Sequence, residues 1–126
     1  MTYVDTDYLL ALAKDEDWLK ESAVKLKLES GEIETSAFTL VELLFYAHKH
    51  GRNPEELVAI ASALVGKIRP LTPTQVRAAS HYMKKFGLNP GDAIHAASLE
   101  VNEEMVTSDK KLKKLEEFGF KVRKLK

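Results

Sequence analysis

The hydrophobic pattern of this chain changes repeatedly between two types of segment. In one type, apolar residues form a short run or occupy every second position; in the other, they recur every three or four positions. Short apolar or strictly alternating runs predict strands, whereas apolar residues spaced three and four apart predict helices. The predicted strands cover residues 1–4, 32–37, 67–71, 104–108 and 120–125. The predicted helices cover residues 5–14, 17–30, 38–50, 53–66, 72–86, 89–102 and 109–118.

Capping residues support several of these boundaries. Asn53, Thr72 and Asn89 are each followed by a proline, an order typical of a helix N-terminus. Asp5 is the expected cap of the first helix, because its carboxylate can accept a hydrogen bond from a free backbone amide of the first turn. Gly51 follows the helix over 38–50, where glycine commonly ends a helix.

Strands separated by helical stretches predict βαβ units. We therefore expect an α/β fold with a mainly parallel sheet and helices on both of its faces. No linker, repeat or low-complexity segment divides the 126 residues, so we expect a single domain over 1–126.

Composition limits the class of protein and the chemistry. The hydrophobic share of 44% and the charged share of 30% are those of a soluble globular protein. No apolar run approaches the roughly 20 residues that span a bilayer. Acidic residues follow the first strand directly, so we expect no signal peptide and a cytoplasmic location. The absence of cysteine excludes disulfides, thiolate nucleophiles and Cys-ligated zinc, which leaves oxygen and imidazole ligands and favours Mg²⁺ or Mn²⁺.

The charges balance in number but not in position. The chain has 19 Lys and Arg against 19 Asp and Glu. Residues 1–36 carry nine acids and four lysines, whereas residues 109–126 carry eight Lys or Arg and three acids. The basic end is either a solvated helix and edge strand or a surface that contacts phosphates beside an acidic site.

Asp5, Glu42, Asp92 and Asp109 lie at or shortly after predicted strand ends. Each has a structural explanation: capping for Asp5 and Asp109, a solvent-facing stripe for Glu42, and the helix dipole for Asp92. Ligands of open parallel sheets bind outside the carboxyl ends of the strands, where all four acids could meet. Gathered carboxylates repel one another unless a cation joins them, and a hard divalent cation could activate water for phosphodiester hydrolysis.

Four segments of the chain, taken in order, resemble the PIN-domain nucleases, and most closely the VapC-type ribonuclease toxins of prokaryotes. These segments are YVDTDYLLAL, SAFTLVELLF, GDAIHAASLE and VTSDKKL. The resemblance covers essentially the whole chain and implies a three-layer αβα sandwich with a sheet of about five strands. It also implies a metal-dependent endoribonuclease that hydrolyses single-stranded RNA as the toxin of a toxin–antitoxin pair. A homodimer and a cognate antitoxin are the partners it implies.

The resemblance also implies a set of site residues. The acids that match the family's catalytic, metal-binding quartet for Mg²⁺ or Mn²⁺ are Asp5, Glu42, Asp92 and Asp109. Thr6 and Ser108 match positions where a hydroxyl often assists, and Asp7 stands where Asn or Ser is more usual. His95 lies three residues after Asp92 on the same helix face, either as a packed polar residue or as part of the site.

A group of lysines follows Asp109 directly and is the expected contact to RNA phosphates. These residues are Lys110, Lys111, Lys113 and Lys114. Because such contacts release counterions, we expect the affinity for RNA to depend on salt.

Two other functions remain open from the sequence. The order Asp5-Thr6-Asp7 after a first strand also resembles the Asp-x-Asp of haloacid-dehalogenase-type phosphatases, in which the first Asp attacks phosphorus. That mechanism leaves Glu42 and Asp92 unexplained and gives Asp109 no nearby acidic partner. The other alternative is a catalytically inactive PIN-like domain that binds RNA or protein.

Overall fold

A sheet of five parallel strands forms the centre of the fold in the computed structural model, which describes residues 2–13, 32–100, 103–107 and 114–124. The strands are β1 (Thr2–Val4), β2 (Ile33–Ser36), β3 (Lys67–Arg69), β4 (Glu104–Thr107) and β5 (Lys121–Lys124). Their order is β3-β2-β1-β4-β5, and each neighbouring pair is parallel. The predicted sheet is therefore confirmed.

The helices of the described ranges agree with the predicted ones in number and order. They are α1 (Thr6–Ala13), α2 (Ala37–His50), α3 (Pro54–Leu64), α4 (Pro73–Phe86), α5 (Pro90–Ala97) and a 3-10 helix (Lys114–Phe118). The predicted helix over 17–30 lies outside the described residues. In the part of the chain that the structure covers, no helix is long and apolar enough to cross a membrane.

The predicted caps are confirmed at three helix starts. The side-chain oxygens of Asn53, Thr72 and Asn89 accept hydrogen bonds from the backbone amides three residues later. Ser36 precedes α2 in an extended conformation, but its side chain makes no capping hydrogen bond. Gly51 ends α2 with a φ of 63°, in the left-handed region that favours glycine.

Helix α5 ends at Ala97, earlier than the predicted end at residue 102. The hydrogen bonds tighten at this end, because the Leu99 amide donates to the Ala96 carbonyl, three residues back, at 3.3 Å instead of four residues back. Just beyond the helix, Arg69 Nη1 donates to the Ser98 carbonyl at 2.8 Å. This contact with a strand at the edge of the sheet is not evident from the local sequence.

Each face of the sheet carries its own apolar core, as the period of two in a strand requires. Val4 contributes to the core under α1, α2 and α3, together with Leu9, Ile33, Leu43 and Val106. Tyr3 contributes to the core under α4 and α5, together with Ala79, Ala93, Met105 and Val122. Helices cover both faces, so the expected three-layer αβα sandwich is confirmed.

The strand order defines where a ligand would bind. From β1 the chain moves outward to β2 and β3, and then returns to β4 on the other side of β1. The carboxyl ends of β1 and β4 therefore form the switch point at which open α/β sheets bind ligands. Asp5 follows β1 at this point, and its amide donates to the Val106 carbonyl of β4 at 3.3 Å.

Candidate functional site

Asp5 links the end of β1 to both α1 and β4. Its Oδ1 accepts a hydrogen bond from the Tyr8 amide at 3.1 Å, so the predicted helix cap is confirmed. Its Oδ2 accepts a hydrogen bond from the Thr107 hydroxyl at the end of β4. The residue is only 4% exposed. Asp5 is therefore a fixed carboxyl group at the switch point.

The surroundings of Asp5 disfavour its negative charge. Burial raises the pKa of Asp5 from 3.8 to about 7; the nearby charge of His95 opposes this increase and the negative charge of Asp7 adds to it. A carboxylate removed from water in this way gains from a nearby cation. Asp7 is exposed in the first turn of α1, and its negative charge raises the pKa of Asp5.

Glu42 lies in the second turn of α2 and is held by two other elements. Its Oε1 accepts from the Thr6 hydroxyl at 2.6 Å and lies 2.5 Å from His95 Nε2. Burial opposes ionisation of Glu42, but the hydrogen bond and charge of His95 and the Thr6 hydroxyl together lower its pKa. The expected solvent-facing stripe would also include Thr39, which is fully buried. Exposure alone therefore does not explain Glu42, whose side chain is 31% exposed but is held by Thr6 and His95.

His95 is buried, with polar partners on both ring nitrogens. Its Nδ1 lies 2.7 Å from the Tyr3 hydroxyl, which donates to Ser36 Oγ at 3.1 Å. With the hydroxyl hydrogen directed to Ser36, both nitrogens of His95 act as donors, as in the protonated ring. Burial opposes the charged ring, but the Tyr3 oxygen and the carboxylates of Glu42 and Asp5 raise the pKa of His95 to about 10.

Asp92 lies in the first turn of α5 and is largely buried. The Asn89 side chain accepts from its amide at 2.9 Å and donates to its Oδ2 at 3.1 Å. Gly91 brings this turn close to Glu42, since a Cβ at Gly91 would lie 3.5 Å from Glu42 Oε2. The expectation that Asp92 follows a strand end is wrong, because α5 follows α4 and reaches the site by packing on the sheet.

The structure thus joins three predicted residues, Thr6, Glu42 and His95, by close polar contacts. Asp5 directly precedes Thr6 and is affected by the charge of His95. The turn that contains Asp92 lies beside Glu42. The predicted residues Ser108, Asp109, Lys110, Lys111 and Lys113 lie outside the described residues. Lys114 begins the 3-10 helix, and its side chain is not described.

The donor types suit a hard divalent ion, because the acids supply oxygen and Asp5 carries a poorly solvated charge. Within residues 2–13, 32–100, 103–107 and 114–124, no group of three His, Asp or Glu side chains could by itself hold a metal ion. Asp109, the fourth acid of the predicted quartet, is not in these ranges.

Sequence reasoning missed two residues that hold the site, Tyr3 and Thr107. Tyr3 has the pattern of an ordinary buried strand residue, and nothing local predicts its contact with His95, 92 positions away. Thr107 directly precedes Ser108 and Asp109, so its position at a strand end was an available indication. Tyr3 acts through His95 and Thr107 acts through Asp5. The order of the strands in the sheet is what places each pair in contact.

Comparisons with known proteins agree with this fold. A family model for the PIN domain matches residues 2–117. The chain belongs to the PIN domain family. No significant match was found among curated proteins. This membership decides against the haloacid-dehalogenase alternative.

Solved structures similar to this chain include toxin–antitoxin proteins. A VapBC complex of Rickettsia felis bound to a promoter DNA fragment has a TM-score of 0.69 and 14% identity, with 100% of each chain covered. A toxin–antitoxin complex of Klebsiella pneumoniae has a TM-score of 0.65 and 20% identity, with 88% of each chain covered. A sarcin–ricin loop cleaving VapC toxin of Mycobacterium tuberculosis has a TM-score of 0.64 and 17% identity, covering 100% of this chain and 90% of its own. At these identities the likeness establishes the fold.

Proposed function

We propose that this chain is a divalent-metal-dependent endoribonuclease that hydrolyses single-stranded RNA. The observation that carries the proposal is the buried Asp5 carboxyl group at the β1–β4 switch point, with the Thr6–Glu42–His95 contacts beside it. A buried acid with a raised pKa in such a position is typical of a functional site. Membership of the PIN family supplies the class of reaction.

The residues that would hold Mg²⁺ or Mn²⁺ are Asp5, Glu42 and Asp92, together with Asp109. When bound, the metal would lower the pKa of a water molecule and stabilise charge on the phosphate oxygens. The chain itself orients the acids. Thr107 and the Tyr8 amide hold Asp5, whereas Asn89 holds Asp92.

The RNA backbone would be held by the lysines after Asp109. Lys110 and Lys111 follow this acid directly, and Lys113 and Lys114 follow within five residues. Their charges would offset the repulsion between the RNA phosphates and the acidic site. We propose the cytoplasm, where RNA is available, as the place of this activity.

We propose further that the chain is a toxin with a cognate antitoxin and forms a homodimer. Structural neighbours from Rickettsia felis and Klebsiella pneumoniae are toxin–antitoxin complexes, which supports the antitoxin. An exposed apolar face on α2 supports the dimer: Leu44 is 49% and Phe45 70% exposed. Between α2 and α3 lies a groove of about 460 Å³, lined by Leu44, Pro54, Glu55, Val58 and Ala59.

RNA cleavage by the purified chain tests this function. We expect wild-type protein with Mn²⁺ to cleave members of a panel of single-stranded RNAs, and EDTA to stop the reaction. Asp5→Asn should reduce the rate at least about 100-fold, since it replaces a charged carboxylate at the metal site with a neutral amide. Glu56→Gln, which removes one exposed carboxylate from α3, is the matched control and should cleave at the wild-type rate.

A different outcome would favour the inactive alternative. If the wild-type chain leaves every RNA intact with Mn²⁺ but binds RNA equally well with and without EDTA, the domain is an RNA-binding module. Binding to a protein partner without any interaction with RNA would favour the protein-binding form of the same alternative.

A further inference from the structure

The two carboxylate oxygens of Glu42 have different surroundings. Oε1 accepts from the Thr6 hydroxyl at 2.6 Å and lies 2.5 Å from His95 Nε2. Oε2 lies on the side of Gly91, 3.5 Å from where a Cβ on that residue would be. Among the described residues, both hydrogen bonds to Glu42 thus end on the same oxygen. Oε2 is the oxygen that remains available to a cation or to a water molecule bound to one.

His95 is held from the side opposite Glu42. The Tyr3 hydroxyl lies 2.7 Å from Nδ1, and the edge-on rings of Tyr3 and Phe38 have centroids 5.9 and 5.4 Å from that of His95. A hydrogen bond on one ring nitrogen decides which nitrogen faces the other partner. Rotation of the His95 ring would break contacts on both sides, so its Nε2 stays directed at Glu42.

We propose that His95, held by Tyr3, is a positioning residue that fixes the Glu42 carboxylate and directs Oε2 toward the bound divalent cation. The inference rests on the proposed metal-dependent function and adds one residue to its machinery. His95 is 4% exposed and acts through Glu42, without touching the cation or the RNA. Residues that orient metal ligands in this way typically contribute 10–100-fold in metal affinity or activity.

Mn²⁺ titration calorimetry, together with cleavage kinetics, tests this role. His95→Leu removes the donor to Oε1 at similar volume, whereas the amide nitrogen of His95→Gln can reach the position of Nε2. We expect His95→Leu to weaken Mn²⁺ binding by about 10–100-fold and to lower kcat with the KM for RNA unchanged. His95→Gln should regain most of the Mn²⁺ affinity. His81→Leu, the same change at an exposed histidine of α4, should bind Mn²⁺ as the wild type does.

Two results would overturn the positioning role. Equal loss of Mn²⁺ affinity in His95→Leu and His95→Gln would show that packing alone matters at this position. Wild-type affinity in His95→Leu would show that Glu42 needs no support. If His95→Leu does not fold, Tyr3→Phe decides, because it keeps the ring and removes the hydroxyl on Nδ1. Weaker Mn²⁺ binding by folded Tyr3→Phe supports the role, and unchanged binding contradicts it.

The two readouts separate this inference from the proposed function. If the wild type cleaves RNA and its Mn²⁺ affinity does not depend on His95, the inference fails and the nuclease stands. If Mn²⁺ affinity depends on His95 and no RNA is cleaved, the inference stands and the nuclease fails.

Discussion

His95 Nε2 lies 2.5 Å from Glu42 Oε1, although the two residues are 53 positions apart and belong to different helices. This contact ties α5 to α2 beside the carboxyl ends of β1 and β4. Thr6 joins the same oxygen from α1, so three helices meet at one carboxylate. The site therefore depends on the packing of helices as much as on the ends of the strands.

The buried Asp5 should make the metal-free protein less stable as pH rises. The pKa of Asp5 is raised to about 7 from 3.8, so unfolding releases a proton between these pH values. The favourable contribution of protonated Asp5 to the free energy of unfolding is complete below about pH 4 and is lost as pH rises through about 7. Asp5→Asn cannot ionise and should be more stable than the wild type at pH 8, by up to about 4 kcal/mol, but not at pH 4.

Urea unfolding in EDTA at several pH values checks this prediction. Asp7→Asn changes an exposed carboxylate two residues away and should keep most of the wild-type pH dependence. If Asp5→Asn follows the wild-type pH dependence, Asp5 does not have the raised pKa that a desolvated site requires.

The Arg69–Glu103 ion pair should stabilise the fold at neutral pH and lose this effect in acid. Two Arg69 nitrogens donate to Glu103, and Arg69 Nε lies 3.1 Å from the buried Glu34. Burial opposes ionisation of Glu103, but the hydrogen bond and charge of Arg69 lower its pKa. Because the pKa of Glu103 is lower in the folded protein, its ionised form stabilises the fold at pH values above the ordinary pKa of 4.5. This stabilisation is lost as the pH falls through the lowered pKa.

Glu103→Gln should therefore lower the free energy of unfolding by about 2 kcal/mol at pH 7, and by less at pH 3. Chemical denaturation at both pH values measures the difference. Glu104→Gln is the matched control, because its pair with Arg123 is partly exposed, with side chains 33% and 48% exposed, and should contribute about 1 kcal/mol or less. Equal losses in the two variants would contradict a special role for the buried pair.

Replacement of Lys110 and Lys111 by Ala should weaken RNA binding at low salt. Each lost phosphate contact reduces the dependence of log affinity on log salt by somewhat less than one, so the difference should fade at high salt. Fluorescence anisotropy with a labelled single-stranded RNA measures both effects. Lys84→Ala with Lys85→Ala in α4 is the matched control. An unchanged salt dependence after replacement of Lys110 and Lys111 would show that these lysines do not contact the RNA phosphates.

The exposed apolar face of α2 should be covered by a second copy of the chain in solution. Phe45 is 70% exposed, an unusual position for a large aromatic side chain on an isolated monomer. Phe45→Glu should therefore shift the molecular mass from dimer to monomer in light scattering. Because Phe45 is 70% exposed in the single chain, the monomeric variant should remain folded. A monomeric wild-type chain would contradict the proposed dimer.

Local chemistry made much of the fold predictable. Asn53, Thr72 and Asn89 combine a capping side chain with a following proline, and all three start helices where expected. The spacing of the apolar residues predicted the order of the strands and helices. Helix ends were less predictable: α5 ends at Ala97 in a tight turn, and the Ser98 carbonyl beyond it accepts from Arg69 of a distant strand.

The acids of the candidate site could be proposed from the sequence, but the residues that support them could not. Asp5 and Glu42 could be named because carboxylates near strand ends are costly without a partner. The contact between Tyr3 and His95 could not, since it depends on β1 lying under α5, which follows from sheet order and not from spacing. Asp92 reached the site by helix packing for the same reason.

The position of Mn²⁺ in soaked crystals tests the central claim most directly. Anomalous scattering identifies the ion and its ligands without relying on activity. We predict Mn²⁺ bound by Asp5 and by Oε2 of Glu42, directly or through water, with Asp92 and Asp109 completing the site, and no Mn²⁺ there in Asp5→Asn. Mn²⁺ bound only at other residues, with Asp5 and Glu42 unchanged, would contradict the account.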